Sequence, residues 1–189
     1  MRRGVITIYS SSFNILAHKF DYEFALKGFC DFGDEVVIAV NTSNDGTLEA
    51  LKEWKKNHGA NHLRLIETSV SYDNPHFDGL IKNAALQATT LPRKVHLDLD
   101  EIIPFRQKSN WEAMFKDMED GKYMGAKALL VPSLDLYGDH LHIPWDSTWN
   151  YKYKFYCHLE LIRNCFWGPN HACAGGLGLR SHPLSPDRV

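Results

Sequence analysis

The sequence predicts an α/β fold, in which a mainly parallel β-sheet is flanked by helices on both faces. Strand-like and helix-like segments alternate over the first hundred residues, which is typical of parallel strands joined by crossover helices. The 189 residues, 44% of them apolar, are enough for one sizeable core and few for two. We therefore predict a single domain, 1–189, with a first half over 1–104 and a second half over 105–189.

The elements of the first half follow from the spacing of its apolar residues. Short apolar runs bounded by polar residues predict strands, and longer segments with apolar residues three and four positions apart predict helices. Gly46 and Gly59 mark the two ends of the second helix. The strands are expected over 5–9, 35–40, 62–66 and 94–99. The helices are expected over 15–29, 47–57 and 78–88.

The alternation fades in the second half. A short amphipathic helix is predicted over 110–119, and its apolar residues at helical spacing are expected in the core. These residues are Trp111, Met114, Phe115 and Met118. The remaining predictions are strands over 124–131 and 151–162, a loop over 140–146 between them, and an irregular Gly- and Pro-rich segment over 167–189.

Three polar segments come directly after predicted strands. They are the serine run 10–12, the turn 41–46 and the acidic segment 98–100. Ligands of open α/β sheets bind beyond the carboxyl ends of the strands, where such segments meet. The sequence therefore predicts one ligand site built from all three.

The acidic segment predicts a metal site. Side chains alternate along a strand, so Asp98 and Asp100 are expected on one face, close enough to share a divalent cation. Mg²⁺ and Mn²⁺ prefer hard oxygen ligands of this kind and can neutralise a diphosphate. The alternative for an isolated Asp-x-Asp is a solvated acidic turn.

Charge, cysteine content and hydropathy indicate which partners and which cellular location to expect. The formal net charge of −2 gives no reason to expect nucleic acid. The four cysteines contain no C-x-x-C pair, so reduced thiols are expected rather than a disulfide scaffold. No run approaches the roughly 20 apolar residues that cross a bilayer, which predicts no transmembrane segment and, by default, a cytosolic protein. The oligomeric state is left open.

Two further motifs complete a pattern. The turn Asn44-Asp45-Gly46-Thr47 precedes the second helix, and Lys82-Asn83-Ala84-Ala85 lies in the third. With Leu97-Asp98-Leu99-Asp100-Glu101, this order resembles the family-2 glycosyltransferases of the GT-A fold. Their corresponding helix often carries an Arg-Asn pair, and their acidic loop is often Leu-Asp-Ala-Asp-Glu. Alone, the turn predicts only an N-cap and the lysine only a solvated helix face.

The resemblance implies a GT-A-like single domain, with a nucleotide-sugar-binding half over 1–104 and an acceptor-side half over 105–189. It implies Mn²⁺ or Mg²⁺ as the cofactor, held by Asp98 and Asp100. Many members have an Asp where this chain has Asn41, which can hydrogen-bond an imide but carries no charge. The implied contacts to the nucleotide sugar are Ser10, Asn41, Asp45, Lys82, Asn83 and Asp98.

A later segment, 161–171, is similar to a second element of the family, a Leu-Phe-Arg run followed by Trp, Gly and a Val-His-Glu ending. By that resemblance, His171 joins the acidic loop as a nitrogen ligand of the metal. Packing at the surface is the alternative for a lone histidine. Ala172 stands where the family often has Glu, so if that Glu is a base or a ligand in relatives, its role is vacant here or filled by another carboxylate. The candidates are Asp146, Glu160 and Asp187.

The activity implied is metal-dependent, inverting transfer of a sugar from a nucleotide-diphosphate sugar to a hydroxyl of a glycan, lipid-linked or protein acceptor. One alternative is a nucleotidyltransferase, which the serines at 10–12 disfavour because a Gly-rich basic loop is expected there. Another is a catalytically silent nucleotide- or glycan-binding domain. The chain is short for an acceptor site, which is expected to be small, shared with a partner subunit or missing through truncation.

Overall fold

The computed structural model describes residues 6–103, 108–122, 128–133, 150–156, 165–167 and 173–175. Its elements in chain order are β1 (Ile6–Ser12), α1 (Tyr22–Phe32), β2 (Glu35–Asn41), α2 (Thr47–Asn57), β3 (Leu63–Thr68), α3 (Phe77–Ala88), β4 (Arg93–His96), α4 (Lys108–Glu119), β5 (Ala128–Ser133), β6 (Asn150–Tyr156), β7 (Cys165–Trp167) and β8 (Cys173–Gly175).

Most of the described strands form one sheet, in the order β3-β2-β1-β4-β6-β5. Strand β1 pairs in parallel with β2 and β4, and β2 pairs in parallel with β3. Strands β6 and β5 extend the β4 side in antiparallel orientation. Strands β7 and β8 pair with each other in a separate antiparallel sheet. The predicted α/β fold with a mainly parallel sheet is confirmed.

Side-chain alternation along the central strands builds a core on each face of the sheet. Ile8 of β1 and Ile38 of β2 face the core that includes residues of α1, α2 and α4. Tyr9 and Val37, which are adjacent in sequence to Ile8 and Ile38, face the second core, which includes residues of α3. Helix α3 lies on the other face because the chain passes from β3 across β2 and β1 to reach β4. The winding therefore reverses between β1 and β4.

The first helix begins later than predicted. Its predicted range is 15–29, but turns occupy the segment before Tyr22, where α1 begins. The backbone amides of Leu16 and Ala17 donate to the carboxylate of Asp45, which lies beyond β2 in the chain. Backbone amides that donate to a side-chain carboxylate do not need the carbonyl acceptors that a helix provides. The amphipathic pattern alone therefore does not produce a helix before Tyr22.

Two strand ends also differ from the prediction. The serines at 10–12 were expected in a loop but belong to β1, which continues to Ser12. Strand β4 ends at His96 rather than at residue 99. Helix α2 has the bounds that Gly46 and Gly59 predict, and the other elements of the first half lie close to theirs.

The second half is described in part. In α4, Phe115 and Met118 are buried, and Trp111 and Met114 pack against the core, as the helical spacing predicts. Strands β5 and β6 overlap the strands expected there. The irregular segment predicted from 167 onwards is wrong at β8, which pairs with β7. The predicted loop 140–146 lies outside the described residues.

Within the described part of the chain, no helix is both long enough and apolar enough to cross a membrane.

Candidate functional site

The candidate site lies where the carboxyl ends of β1 and β4 meet. These strands are neighbours in the sheet, yet α3 lies on one face of it while α1 and α2 lie on the other. The crevice outside such a reversal is where open α/β sheets bind their ligands. His96, the last residue of β4, is in register with Tyr9 of β1. We call the region formed by Lys82, His96 and the following turn 98–101 the switch-point site.

The acidic residues lie in a turn and not in a strand. The amide of Glu101 donates to the carbonyl of Asp98 at 2.9 Å, and the amide of Asp98 donates to the Glu101 carboxylate at 2.9 Å. The strand predicted over 94–99 is therefore too long, because β4 has already ended at His96, and strand alternation does not place Asp98 and Asp100. That the two carboxylates share a cation stays a prediction. The side chain of Asp98 is 36% exposed and Asp100 is exposed, so solvent reaches both residues.

Lys82 is the buried cation of the site. It lies on the buried side of α3, where its neighbours Ile81 and Ala85 pack against the sheet, and its side chain is only 7% exposed. A buried ammonium group needs a partner, and the Lys82 Nζ lies 3.1 Å from Oδ1 of Asp98. Helix α3 and the turn after β4 are thus joined by an ion pair.

His96 contacts the same carboxylate oxygen. Its ring is buried, 2% exposed, and its Nε2 lies 3.5 Å from Oδ1 of Asp98. The ring centroid lies 5.1 Å from that of Tyr9 on the neighbouring strand. The sequence prediction did not single out His96 as a site residue. Its position two residues before Asp98, at the end of an apolar strand, was the available signal.

The side chain of Asn41 is tied to the segment that follows β3. Its Oδ1 accepts from the amide of Val70 at 2.7 Å and from the hydroxyl of Thr68 at 3.0 Å. Its Nδ2 donates to the carbonyl of Val70 at 3.0 Å. Since an amide group has two N–H donors, one donor is left over from these bonds. Asn41 therefore links the end of β2 to the end of β3.

Asp45 anchors the loop that precedes α1. One carboxylate oxygen accepts from Ser43 and from both the amide and the hydroxyl of Thr47, and the other accepts from the amides of Leu16 and Ala17. Burial raises the pKa of Asp45, but the hydrogen bonds from Thr47, Ala17 and Ser43 outweigh it and hold the pKa well below its usual range. Both oxygens are thus occupied by the protein itself.

The other two expected nucleotide contacts differ in accessibility. Ser10 is completely buried within β1, and its hydroxyl donates to the carbonyl of Ser11 at 3.4 Å. The structure does not bring Ser10 to the surface of the switch-point site. Asn83 follows Lys82 on α3 and is half-buried.

Three aromatic residues gather at the same edge of the sheet, and the sequence prediction missed them. Phe13 follows β1, Tyr72 follows β3 and Phe77 begins α3. Their ring centroids lie 5.7 Å, 5.0 Å and 5.2 Å apart in the pairs 13–72, 13–77 and 72–77. Tyr72 is 73% exposed, so the cluster presents a ring to solvent. We call these three residues the aromatic rim.

The donors at the switch-point site suit a divalent cation that shares its shell with a ligand. Among the side chains that the structure describes, no three His, Cys, Asp or Glu residues are grouped to hold a metal ion. Mg²⁺ is usually bound by one or two carboxylates together with phosphates of a substrate, rather than by a cage of protein ligands. The carboxylates of Asp98 and Asp100 fit that mode of binding.

Several predicted site residues lie outside the described residues: Asp146, Glu160, His171 and Asp187. Their roles stay predictions. The backbone of β7, which lies within the segment similar to the second family element, approaches α3, the helix that carries Lys82.

No family model and no curated protein matches the sequence. Solved structures do match it in fold. The structure of S. aureus TarS superposes with a TM-score of 0.59 at 17% identity, over 87% of this chain and 30% of that chain. TarS 1-349 in complex with UDP-GlcNAc gives a TM-score of 0.52 at 19% identity, over 72% and 36%.

Glucosyl-3-phosphoglycerate synthase from Mycobacterium tuberculosis is similar too. Its complex with Mn²⁺, UDP and phosphoglyceric acid gives a TM-score of 0.51 at 15% identity, over 93% of this chain and 62% of that chain. This chain thus spans less than two thirds of each of these proteins. At such identities the likeness establishes the architecture, which is the GT-A-type fold that the sequence resemblance implies.

Proposed function

We propose that this chain binds a nucleotide-diphosphate sugar at the switch-point site and transfers the sugar to an acceptor hydroxyl. The observation that carries the proposal is the ion pair between buried Lys82 and half-exposed Asp98, 3.1 Å apart at the carboxyl ends of β1 and β4. A cation and a carboxylate at this point offer the two charges that a diphosphate and its counter-ion need. Neighbours of the same fold bind UDP-GlcNAc, or UDP with Mn²⁺.

Lys82 is proposed to contact the diphosphate. The side chain of Lys82 is only 7% exposed, so water screens the interaction of its ammonium group with a bound anion only weakly. Packing of α3 sets its position. During sugar transfer, negative charge builds on the departing diphosphate. A fixed ammonium group stabilises that charge more than it stabilises the intact donor, which lowers the barrier.

Asp98 and Asp100 are proposed to hold Mn²⁺ or Mg²⁺. The bound ion would supply Lewis-acid stabilisation of the leaving diphosphate. The turn that carries both residues is closed by the two reciprocal hydrogen bonds between Asp98 and Glu101. Glu101 thereby fixes the backbone from which both carboxylates project, and we propose that it acts as a positioning residue for them.

The aromatic rim is proposed to hold the nucleobase. Aromatic faces stack on bases of every kind, and Tyr72 presents a largely exposed ring on the edge where the nucleotide is expected. Asn41 retains one N–H donor for a base carbonyl. Because the carboxylate of Asp45 accepts hydrogen bonds from the loop before α1, we propose that it shapes the pocket and does not contact the nucleotide.

The acceptor side of the reaction stays a prediction. A carboxylate that removes the proton of the acceptor hydroxyl would give inversion by direct displacement, and Asp146, Glu160 and Asp187 are the candidates. We also predict that His171 is a third metal ligand. The acceptor is predicted to be a glycan, a lipid-linked group or a protein, and the protein is predicted to be cytosolic.

Calorimetric titration tests the proposal. UDP-GlcNAc and a GDP sugar are titrated into the protein with and without Mn²⁺, and we expect Mn²⁺ to tighten binding of one of them. In the Asp98→Asn variant the Mn²⁺ dependence should be lost, because an amide is a much poorer ligand for a hard cation. Release of free sugar or its transfer would then be followed for the donor that binds.

A matched control is available at the opposite edge of the sheet. Asp31, at the end of α1, also pairs with a lysine, with Lys27 Nζ 2.6 Å from its carboxylate. The Asp31→Asn variant should bind the donor as the wild type does. The proposal fails if no nucleotide sugar binds, or if Asp98→Asn binds with unchanged Mn²⁺ dependence. Metal-dependent binding without sugar transfer or hydrolysis would identify a silent binding domain instead.

A further inference from the structure

Residues 14–20 form a closed loop between β1 and α1. The amide of His18 donates to the carbonyl of Asn14 at 3.0 Å, which closes the first turn of the loop. The loop follows directly on Phe13, one of the three rings of the aromatic rim. Contacts that hold the loop therefore also bear on the position of that ring.

Two side chains at the start of α2 hold the loop. The Thr47 hydroxyl accepts from the amide of Ile15 at 3.1 Å. The carboxylate of Asp45 accepts from the amides of Leu16 and Ala17 at 3.1 Å and 3.0 Å. The Thr47 hydroxyl also donates to Asp45 at 2.7 Å, so one connected set of hydrogen bonds fixes three consecutive amides. We call Asp45 and Thr47 the latch.

The backbone of Asn14 shows that the start of the loop is constrained. Its φ is 51°, in the left-handed region that residues other than glycine adopt uncommonly. Such a conformation persists where the surrounding structure holds it. Phe13 directly precedes Asn14, and the latched amide of Ile15 directly follows it. If the latch is released, Asn14 can relax, and the direction of the Phe13 side chain changes with it.

We infer that Asp45 and Thr47 are positioning residues for the aromatic rim, because they hold the loop 14–20 and thereby aim the Phe13 ring at the other two rings. The inference rests on the proposed function, in which the rim holds the nucleobase. It adds a route by which two residues that do not touch the nucleotide set its affinity. Burial of the Ile15 side chain keeps the loop on the protein, so release of the latch loosens the loop and does not unfold it.

The geometry of the rim explains why the position of Phe13 matters. Its ring stacks on Tyr72 with an interplanar angle of 23° and meets Phe77 edge-on at 73°. Tyr72 is 73% exposed, so the stack with Phe13 is one of the contacts that orient its ring. A base that binds to a ring without a fixed orientation must order that ring, and this cost lowers the affinity.

The first measurement follows the Phe13 ring without nucleotide. 4-Fluorophenylalanine is incorporated at position 13, and its ¹⁹F resonance reports the ring currents of Tyr72 and Phe77. In Asp45→Asn and in Thr47→Val, which removes the hydroxyl at similar volume, the resonance should move towards that of the urea-unfolded protein. Thr47→Ser, which keeps the hydroxyl, should retain the wild-type resonance. Circular dichroism melting gives a temperature at which every variant is folded.

The second measurement is calorimetric titration of UDP in the presence of Mn²⁺. Asp45→Asn should bind UDP about three- to tenfold more weakly, up to the loss that is usual for one stacked base. In a Phe13→Leu background the same change should cost less than about twofold, because two changes that act through one ring are not additive. Asp31→Asn, at an exposed ion pair, should alter neither the ¹⁹F resonance nor the UDP affinity.

The outcomes separate the inference from the proposed function. If folded Asp45→Asn and Thr47→Val keep the wild-type resonance, the latch does not aim Phe13 and the inference is wrong, whatever UDP does. It is also overturned if the resonance moves while UDP affinity does not, or if Asp45→Asn loses as much affinity in the Phe13→Leu background as in the wild type. If the resonance moves but UDP does not bind the wild type, the latch is supported and the proposed function fails.

Discussion

Asp45 illustrates how a residue that suggests ligand binding can serve the fold. Its carboxylate lies between the loop after β2 and the loop before α1, and both oxygens accept hydrogen bonds from backbone or hydroxyl donors of these loops. The acidic turn Asn44-Asp45-Gly46 is visible in the sequence. Its partners Leu16 and Ala17 lie almost thirty positions away, and no local pattern indicates that they donate to it.

We predict that Asp45→Asn destabilises the protein by roughly 1–3 kcal/mol at pH 7, because an amide cannot accept at both ends and leaves donors unpaired. The folded-state pKa of Asp45 lies below its ordinary value. Its stabilising contribution is therefore complete above the unfolded-state pKa of about 4 and is lost as the pH falls below it. Urea unfolding at pH 7 and at pH 3 measures the difference.

The exposed Asp31→Asn variant is the reference for this experiment and should change the unfolding free energy by no more than about 1 kcal/mol. Equal stability of Asp45→Asn and the wild type at pH 7 would contradict the anchoring role of Asp45. So would a difference between them that grows as the pH falls.

Lys82 and Asp98 show what can be predicted residue by residue. A lysine within an apolar helix and an Asp-x-Asp after an apolar strand both depart from their local pattern, but alone the lysine predicts only a solvated helix face. The family resemblance implies that both contact the nucleotide, and the structure brings them to 3.1 Å. The signal for His96 is weaker, because its only mark in the sequence is its position two residues before Asp98 at the end of an apolar strand.

At the scale of elements, prediction succeeds where local signals suffice and fails where distant contacts decide. Helix α2 has glycine at both ends and the predicted bounds. The helix predicted from residue 15 starts at Tyr22, because the amides of Leu16 and Ala17 donate to Asp45 instead of to helical carbonyls. Strand β4 ends at His96 because the turn of Asp98 and Glu101 competes with the strand.

The aromatic rim is a product of connections between elements. Its three residues follow β1, follow β3 and begin α3, so only the sheet order brings them together. We predict that Tyr72→Ala weakens binding of a nucleotide about tenfold, which is the usual loss for one stacked base. Calorimetric titration of UDP measures the change.

Tyr72→Phe, which keeps the ring, should retain the wild-type affinity. Since Tyr72 is 73% exposed, neither variant should shift the melting temperature appreciably. If Tyr72→Ala binds UDP as the wild type does, the rim does not hold the base.

At the scale of the whole molecule, the topology defines the site more than any single motif does. The alternation of strands and helices predicts the parallel sheet, and the sheet order β3-β2-β1-β4 places the reversal beside the acidic turn. The fold is shared with TarS and with glucosyl-3-phosphoglycerate synthase at identities below 20%. At that distance, the specific donor and acceptor follow from pocket residues and not from the fold.

In the proposed site, Asp98 and Asp100 share a divalent ion with a nucleotide diphosphate. Anomalous diffraction at the manganese absorption edge, from crystals grown with Mn²⁺ and UDP, tests it most directly. We predict an anomalous peak between the two carboxylates and the diphosphate, with Lys82 turned towards a phosphate oxygen. Bound UDP with no manganese peak at these carboxylates, or a peak elsewhere on the protein, would contradict it.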